Sequence, residues 1–110
     1  MADKIKLVQG DTRPTLICTL TDDTTGDPIN ITGANVLLKF RQVGATELTA
    51  TITGVVTNGT GGVVAFYWST DPTALDGPPG DYEGEIEINF SDGTIQTVYD
   101  PLKFKLREEF

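Results

Sequence analysis

The stretch from Asp81 to Phe90 alternates strictly between polar and apolar positions, and this alternation constrains the fold more than any other feature of the chain. Side chains two residues apart on a β-strand share a face. One face of the stretch would be apolar or small, and the other would carry four carboxylates and an amide: Asp81, Glu83, Glu85, Glu87 and Asn89. The pattern therefore predicts a strand with one face in the core and an acidic face in solvent.

An Asp-Gly pair at Asp92-Gly93 follows this strand, and such a pair between two β-patterned runs predicts a hairpin with a two-residue loop. In that register Phe90 lies opposite Ile95, and the returning strand points its odd residues, Ile95, Thr97 and Tyr99, inward. Val98 then points outward. A bulge at Asp100-Pro101 shifts the phase, which brings Glu83 near Lys103. We interpret the carboxylate row as a solvated strand face. Bases across the hairpin partly balance its negative charge.

The rest of the chain shows the same period of two, and no segment sustains a helical period. Strands are predicted over residues 4–8, 15–21, 35–42, 47–53 and 63–69, with turn-forming residues between them. The inward positions before the hairpin are Leu16, Cys18, Leu20, Val36, Leu38, Phe40, Leu48, Ala50, Ile52, Val64, Phe66 and Trp68. The chain is predicted to form one all-β domain over residues 1–110, an antiparallel immunoglobulin-like β-sandwich of about seven strands.

Composition excludes most catalytic machinery. The chain has no histidine and one cysteine, Cys18, so it can form neither an internal disulfide nor a Ser-His or Cys-His pair. Glycoside hydrolysis needs two acids facing each other across a groove, whereas the acids here fall on one strand face or in turns. We therefore expect no enzymatic activity and no cofactor.

Two groups of aspartates could supply oxygen ligands for calcium. One comprises Asp22, Asp23 and Asp27, and the other comprises Asp71, Asp76 and Asp81. Neither group follows the EF-hand spacing, and aspartate is a common turn residue. We expect these residues to form turns and predict no metal site.

Charge and the first residues restrict the partners. The net charge of −8 opposes binding to nucleic acid and to anionic membranes. The start MADKIKLVQGD has no apolar core, so we expect neither a secretory signal nor a membrane span and place synthesis in a cytoplasm.

A protein-docking surface is the functional hypothesis that the residues favour. Once the inward positions are assigned, five apolar side chains point outward, and they suit a docking patch if several share one face. They are Ile17, Leu37, Val63, Tyr67 and Val98, with Glu83, Glu85 and Glu87 as a polar rim.

The order of motifs resembles the N-terminal domain of tailed-phage baseplate upper proteins. The matching segments are Gly10-Asp11, the threonine-rich strand 15–21, Ile31-Thr32-Gly33, Gly62-Val63-Val64 and Gly80-Asp81-Tyr82. The resemblance implies an immunoglobulin-like fold without a catalytic role, in a domain that anchors receptor-binding machinery to the virion. Tyr82 also resembles the corner tyrosine of immunoglobulin domains.

Family members usually continue into helical or fibre-forming regions, whereas this sequence ends at Phe110. The hypothesis is therefore a non-enzymatic virion protein, an adaptor or decoration subunit. We expect it in several copies on the tail, the baseplate or the head, in contact with other phage structural proteins. The alternative is a carbohydrate-binding β-sandwich module, which would need exposed coplanar aromatic rings, with Tyr67 and Trp68 as candidates.

Overall fold

The computed structural model describes residues 4–110, which form nine strands and one short 3₁₀ turn, Trp68–Thr70. The strands are β1 (Ile5–Val8), β2 (Leu16–Thr19), β3 (Asn35–Gln42), β4 (Ala50–Thr53), β5 (Val55–Asn58), β6 (Val63–Phe66), β7 (Gly80–Asn89), β8 (Ile95–Thr97) and β9 (Leu102–Arg107). Residues 1–3, part of the start from which we predict no secretory signal, lie outside the described residues. No helix in the described part is long and apolar enough to cross a membrane.

The strands form two sheets that pack face to face. The large sheet has the order β1-β9-β7-β3-β4, with β8 beside β7, and the small sheet has the order β2-β6-β5. The predicted all-β sandwich is confirmed. Two details differ from the prediction: the strands number nine because β5 and β8 are separate short strands, and β1 pairs with β9 in parallel.

The core lies between the sheets and is built from the inward positions of both. Trp68 is buried and meets Phe104 edge to face, with ring centroids 5.9 Å apart. Phe66 belongs to the same buried cluster, and Phe90 packs against it from the periphery. The inward assignment of Trp68 is therefore confirmed. The inward assignment of Leu48 is wrong, because Leu48 lies in the loop before β4 and is exposed.

Tyr82 ties the start of β7 to the loop before it. Its hydroxyl donates to the carbonyl of Pro78 at 2.7 Å, four residues upstream, while its ring stacks on Phe40 of β3 at 4.8 Å. This is the corner arrangement that the sequence resemblance suggests for Tyr82. Burial raises the pKa of the Tyr82 hydroxyl above its ordinary value.

The chain crosses from the large sheet to the small sheet at Gly54, between β4 and β5. A Cβ atom at this position would lie 2.5 Å from Cγ2 of Val64 and 2.9 Å from the ring of Phe66. Only glycine lets the backbone approach the core this closely. The strand that follows, β5, was not among the predicted strands, although Val55, Val56 and Thr57 form a short β-branched run.

The β7–β8 hairpin has a three-residue loop, not the predicted two-residue loop. The Phe90 N–H donates to the Thr94 carbonyl at 2.8 Å, and the Gly93 N–H donates to the Phe90 carbonyl at 3.0 Å. Gly93 has a φ of 89°, as the last position of such a loop requires. The extra loop residue places Asn89, and not Phe90, opposite Ile95.

A register slip of one residue turns every side chain of a strand to the opposite face. The predicted outward orientation of Val98 is therefore wrong, and Val98 packs against the core. The predicted inward orientation of Ile95, Thr97 and Tyr99 is also wrong. These three side chains are exposed, Tyr99 by 85%.

We predict that Trp68→Ala lowers the free energy of unfolding by about 3–5 kcal/mol, because it empties a large volume in the core. Trp68→Phe should cost less than about 2 kcal/mol, because the ring is largely retained. The buried Trp68 Nε1 also has no hydrogen-bond acceptor among residues 4–110, so its removal breaks no bond. Urea unfolding followed by circular dichroism measures both variants. Equal losses in the two variants would contradict the prediction.

Candidate interaction surfaces

The structure distributes the eight predicted interface residues over both sides of the sandwich. Ile17, Val63 and Tyr67 belong to the small sheet and its continuation, and they lie on its outer face. The outer face of the large sheet carries four others: Leu37, Glu83, Glu85 and Glu87. The eighth, Val98, turns toward the core. The eight residues therefore do not form one surface.

On the large sheet, the carboxylate row of β7 faces the bases of β3. Lys39 Nζ lies 2.6 Å from Glu87 Oε2, and Arg41 Nε lies 2.8 Å from Glu83 Oε2. Glu83 also lies opposite Lys103 in the strand register, as predicted, but its ion pair is with Arg41. These contacts confirm that the row is a strand face, but the bases paired with Glu83 and Glu87 lie on β3 and not across the hairpin.

The ion pairs shift the acid–base equilibria of their members. The Lys39 ammonium and then the Asn89 amide donate to Glu87 and hold the pKa of that carboxyl below its ordinary value. The same hydrogen bond raises the pKa of Lys39. At the start of β7, contacts with Lys4 and Lys105 lower the pKa of Asp81 in the same way.

The large-sheet face is also the basic part of an acidic molecule. The strands of this sheet hold six of the eight lysines and arginines: Lys6, Lys39, Arg41, Lys103, Lys105 and Arg107. The same strands hold four acids, Asp81, Glu83, Glu85 and Glu87, all on β7. These strands thus carry six bases against four acids, although the whole chain has a net charge of −8.

The outer face of the small sheet has the opposite character, because none of its three strands contains a charged residue. Ile17, Ala65 and Val55 form one row across β2, β6 and β5. Ile17 is 67% exposed and Val55 is 49% exposed, while Ala65 is buried between them. Val63 on β6 and Tyr67, the residue after the end of β6, flank Ala65 along the chain. We call these five residues the apolar face.

Val55 is a member of the apolar face that the alternation pattern does not predict. It lies on β5, the strand that was not predicted, between Gly54 and the turn residue Asn58. The run of β-branched residues from Val55 to Thr57 was the available signal, but it is only three residues long.

The carbohydrate-binding alternative is not supported by the placement of the aromatic rings. Trp68 is 1% exposed and lies in the core, so it cannot form a platform with Tyr67. The exposed ring of Tyr99 lines an open cleft of about 240 Å³ on the large-sheet face, together with Arg41 and Glu85. Tyr67 and Tyr99 thus lie on different sheet faces.

The turn aspartates are engaged in local contacts. Asp22 Oδ1 accepts hydrogen bonds from the Thr24 and Thr25 N–H groups at 2.8 and 3.3 Å. Asp71 Oδ1 accepts from the Thr73 hydroxyl at 3.0 Å. Among residues 4–110 no three acidic or cysteine side chains come together in a way that could hold a metal ion.

Cys18 faces the core from β2 and is half-buried. Burial raises the pKa of its thiol to about 11. The thiol is therefore protonated at neutral pH, and a protonated thiol is a poor nucleophile.

Comparison with known proteins identifies a shared fold. No family model and no curated protein matches the sequence. Among solved structures, the N-terminal domain of phage TP901-1 ORF48 superposes with a TM-score of 0.64. The match covers 98% of this chain and 86% of that chain, at 16% sequence identity. At this identity the similarity concerns the fold.

We predict that Lys39→Met raises the pKa of Glu87 toward its ordinary value of 4.5, because the substitution removes the main donor to that carboxylate. A carboxyl whose pKa is lowered by folding stabilises the fold above its unfolded pKa, and this contribution is lost as the pH falls through the folded pKa. The variant should therefore lose less stability than the wild type on acidification below pH 4.5. NMR titration and urea unfolding measure the two effects. Lys103→Met is the matched control, since Lys103 makes no ion pair in the described part of the chain, and an equal response in both variants would contradict the assignment.

Proposed function

We propose that this chain is a non-enzymatic structural protein of a tailed-phage particle and that it docks onto other particle proteins through its apolar face. Two similarities support a phage structural role. The order of its sequence motifs resembles the N-terminal domain of baseplate upper proteins, and its fold is shared with the N-terminal domain of phage TP901-1 ORF48.

The contrast between the two outer sheet faces is the observation that carries the docking proposal. The large-sheet face is covered with charged groups that remain hydrated. The apolar face exposes Ile17 and Val55 in one row without a charge in its strands. Burying apolar surface against a partner is favourable by about 25 cal/mol per Å². The apolar face is therefore the part of the sandwich that gains most from being covered.

The ion-paired large-sheet face would have a secondary part in docking. Exposed charges tune the rate and specificity of association more than its affinity. Glu83 and Glu87 are already paired with Arg41 and Lys39, so a partner must compete with these bases. We assign the three glutamates to orientation of the subunit on the particle.

The absence of catalytic activity in this proposal rests on the chemistry of the side chains. The chain has no histidine, and its one thiol has a pKa raised to about 11 by burial. Of the strand carboxylates, Glu83 and Glu87 are paired with bases and Glu85 is exposed to solvent. The subunit then acts as an adaptor or as a decoration protein, in several copies on the tail, baseplate or head. Its function is to bind other proteins of the particle.

We predict that Ile17→Ser together with Tyr67→Ser lowers incorporation of the chain into phage particles by at least about tenfold, which is about 1.4 kcal/mol of docking free energy. Aliphatic and aromatic anchors at the centre of an interface contribute most of its affinity. Both side chains are exposed, so the isolated variant should keep the wild-type circular dichroism spectrum and melt within a few degrees of it. Quantitative mass spectrometry of purified particles gives the copies per particle.

Leu37→Ser provides the matched control on the opposite face, with one apolar side chain removed from a strand of the large sheet. It should be incorporated at close to the wild-type level. Wild-type incorporation of the Ile17 and Tyr67 double variant would refute the assignment of the apolar face. A loss confined to the Leu37 variant would move the docking surface to the large sheet. Absence of the wild-type chain itself from particles would refute the structural role.

A further inference from the structure

The small sheet has an open edge at β2. Within the described residues, β2 pairs with β6 alone. Leu20 donates its N–H to the Gly62 carbonyl at 2.8 Å, next to the β2–β6 ladder. Alternate residues of an antiparallel strand direct their backbone groups to opposite sides. The N–H and C=O groups of Ile17 and Thr19 therefore point away from β6, and no backbone group among residues 4–110 bonds to them outside the ladder.

The other edge strands, β1, β4, β5 and β8, differ from β2 in length, charge or neighbours. Proteins shield exposed edges with charged side chains, bulges or covering segments. The edge strand β1 carries Lys6, β5 is interrupted by a register shift between Val56 and Asn58, β8 is only three residues long, and β4 lies next to the 3₁₀ turn Trp68–Thr70. β2 reads Leu-Ile-Cys-Thr, with no charge, no proline and a regular ladder.

We propose that an extended segment of a partner protein adds to β2 as a fourth strand of the small sheet. The inference rests on the proposed docking function and specifies the contact by which it occurs. The added strand would cover Leu16 and Cys18, which face the core but are only half-buried at the open edge. On the outer face of the small sheet, its side chains would extend the row formed by Ile17, Ala65 and Val55.

The charges around β2 indicate the chemistry of the added segment. The strand itself is uncharged, and the chain segments that adjoin it are acidic: Asp11 precedes it, and Asp22, Asp23 and Asp27 follow it, against one base, Arg13. The complementary segment has alternating apolar residues in its centre and basic residues at its ends. A second copy of this chain would bring the same acidic segments, and like charges oppose such pairing.

Hydrogen exchange measured by NMR tests the proposal on the intact chain. The probe is a synthetic peptide with alternating valine and threonine in its centre and paired lysines at both ends. On addition of the peptide, exchange of the Ile17 and Thr19 amides should slow by at least about tenfold, because they gain acceptors. The Leu16 and Cys18 amides, already directed toward β6, should change little. The same peptide with glutamates in place of the lysines should bind at least about tenfold more weakly at low salt, since the charge term is screened only at high ionic strength.

A pair of variants distinguishes backbone hydrogen bonding to β2 from side-chain contact with the apolar face. Thr19→Pro removes one outward N–H without removing a donor from the β2–β6 ladder, and proline is tolerated on sheet edges. Thr19→Ala removes the side chain and keeps the N–H. The proline variant should bind the lysine peptide at least about tenfold more weakly, and the alanine variant within about threefold of the wild type. Methylating alternate backbone nitrogens of the peptide makes the same test with the unaltered chain, should the proline variant not fold.

Unchanged exchange at Ile17 and Thr19 with excess peptide, or equal binding of the lysine and glutamate peptides, would overturn the proposal. Slow exchange of both amides without peptide, together with a dimer in sedimentation, would assign the edge to a second copy and overturn the basic partner. Particle incorporation distinguishes a failure of strand addition at β2 from a failure of docking through the apolar face. If Thr19→Pro is incorporated normally and the Ile17 and Tyr67 double variant is not, the apolar face docks without strand addition; if both are incorporated normally, both proposals fail.

Discussion

The stacking of Phe40 on Tyr82 is the contact on which the sandwich depends. It joins β3 to β7 inside the large sheet, with ring centroids 4.8 Å apart. Phe40 also meets Trp68 edge to face at 5.1 Å, and Trp68 follows directly from the small sheet, so the same ring connects the two layers. Such aromatic pairs contribute about 0.5–1.5 kcal/mol beyond the area they bury. The Tyr82 hydroxyl then fixes the preceding loop through Pro78. One cluster thus sets the sheet pairing, the layer spacing and a corner of the chain.

With the large aromatic side chains inside the sandwich, its two outer faces carry different kinds of side chain. The large sheet satisfies its outward positions with alternating acids and bases that pair across strands, such as Arg41 with Glu83. The small sheet has no such ladder, and its outward positions hold Ile17, Val55 and threonines. Charged faces keep their hydration, whereas an uncharged face gains from contact. Association is therefore favoured on the small-sheet side of the molecule. This difference between the two sides comes from the uncharged composition of three short strands.

A period of two identifies which face of a strand points inward, but it does not identify which sheet the strand joins. The sequence therefore predicts Trp68 in the core and places Glu83 opposite Lys103, both of which the structure shows. It does not reveal that Ile17 and Leu37 point to opposite sides of the molecule, because that depends on pairing between distant segments. The orientation of Val98 depended on one loop residue, since a slip of one reverses a strand. Sequence reasoning thus recovers the fold class and much of the core, whereas the division of the candidate site into two faces needs the structure.

The parallel pairing of β1 with β9 gives the molecule a mechanical property. A pull applied to the chain before Ile5 and after Arg107 draws these two neighbouring strands in opposite directions along their length. Their interstrand bonds are then strained together in shear, and sliding requires them to break at once. A hairpin pulled at its open end, such as β7 with β8, instead unzips one bond at a time. Tension along the polypeptide therefore meets its greatest resistance at the edge where the first and last strands lie side by side, and forced unfolding is limited by the rate of that single event.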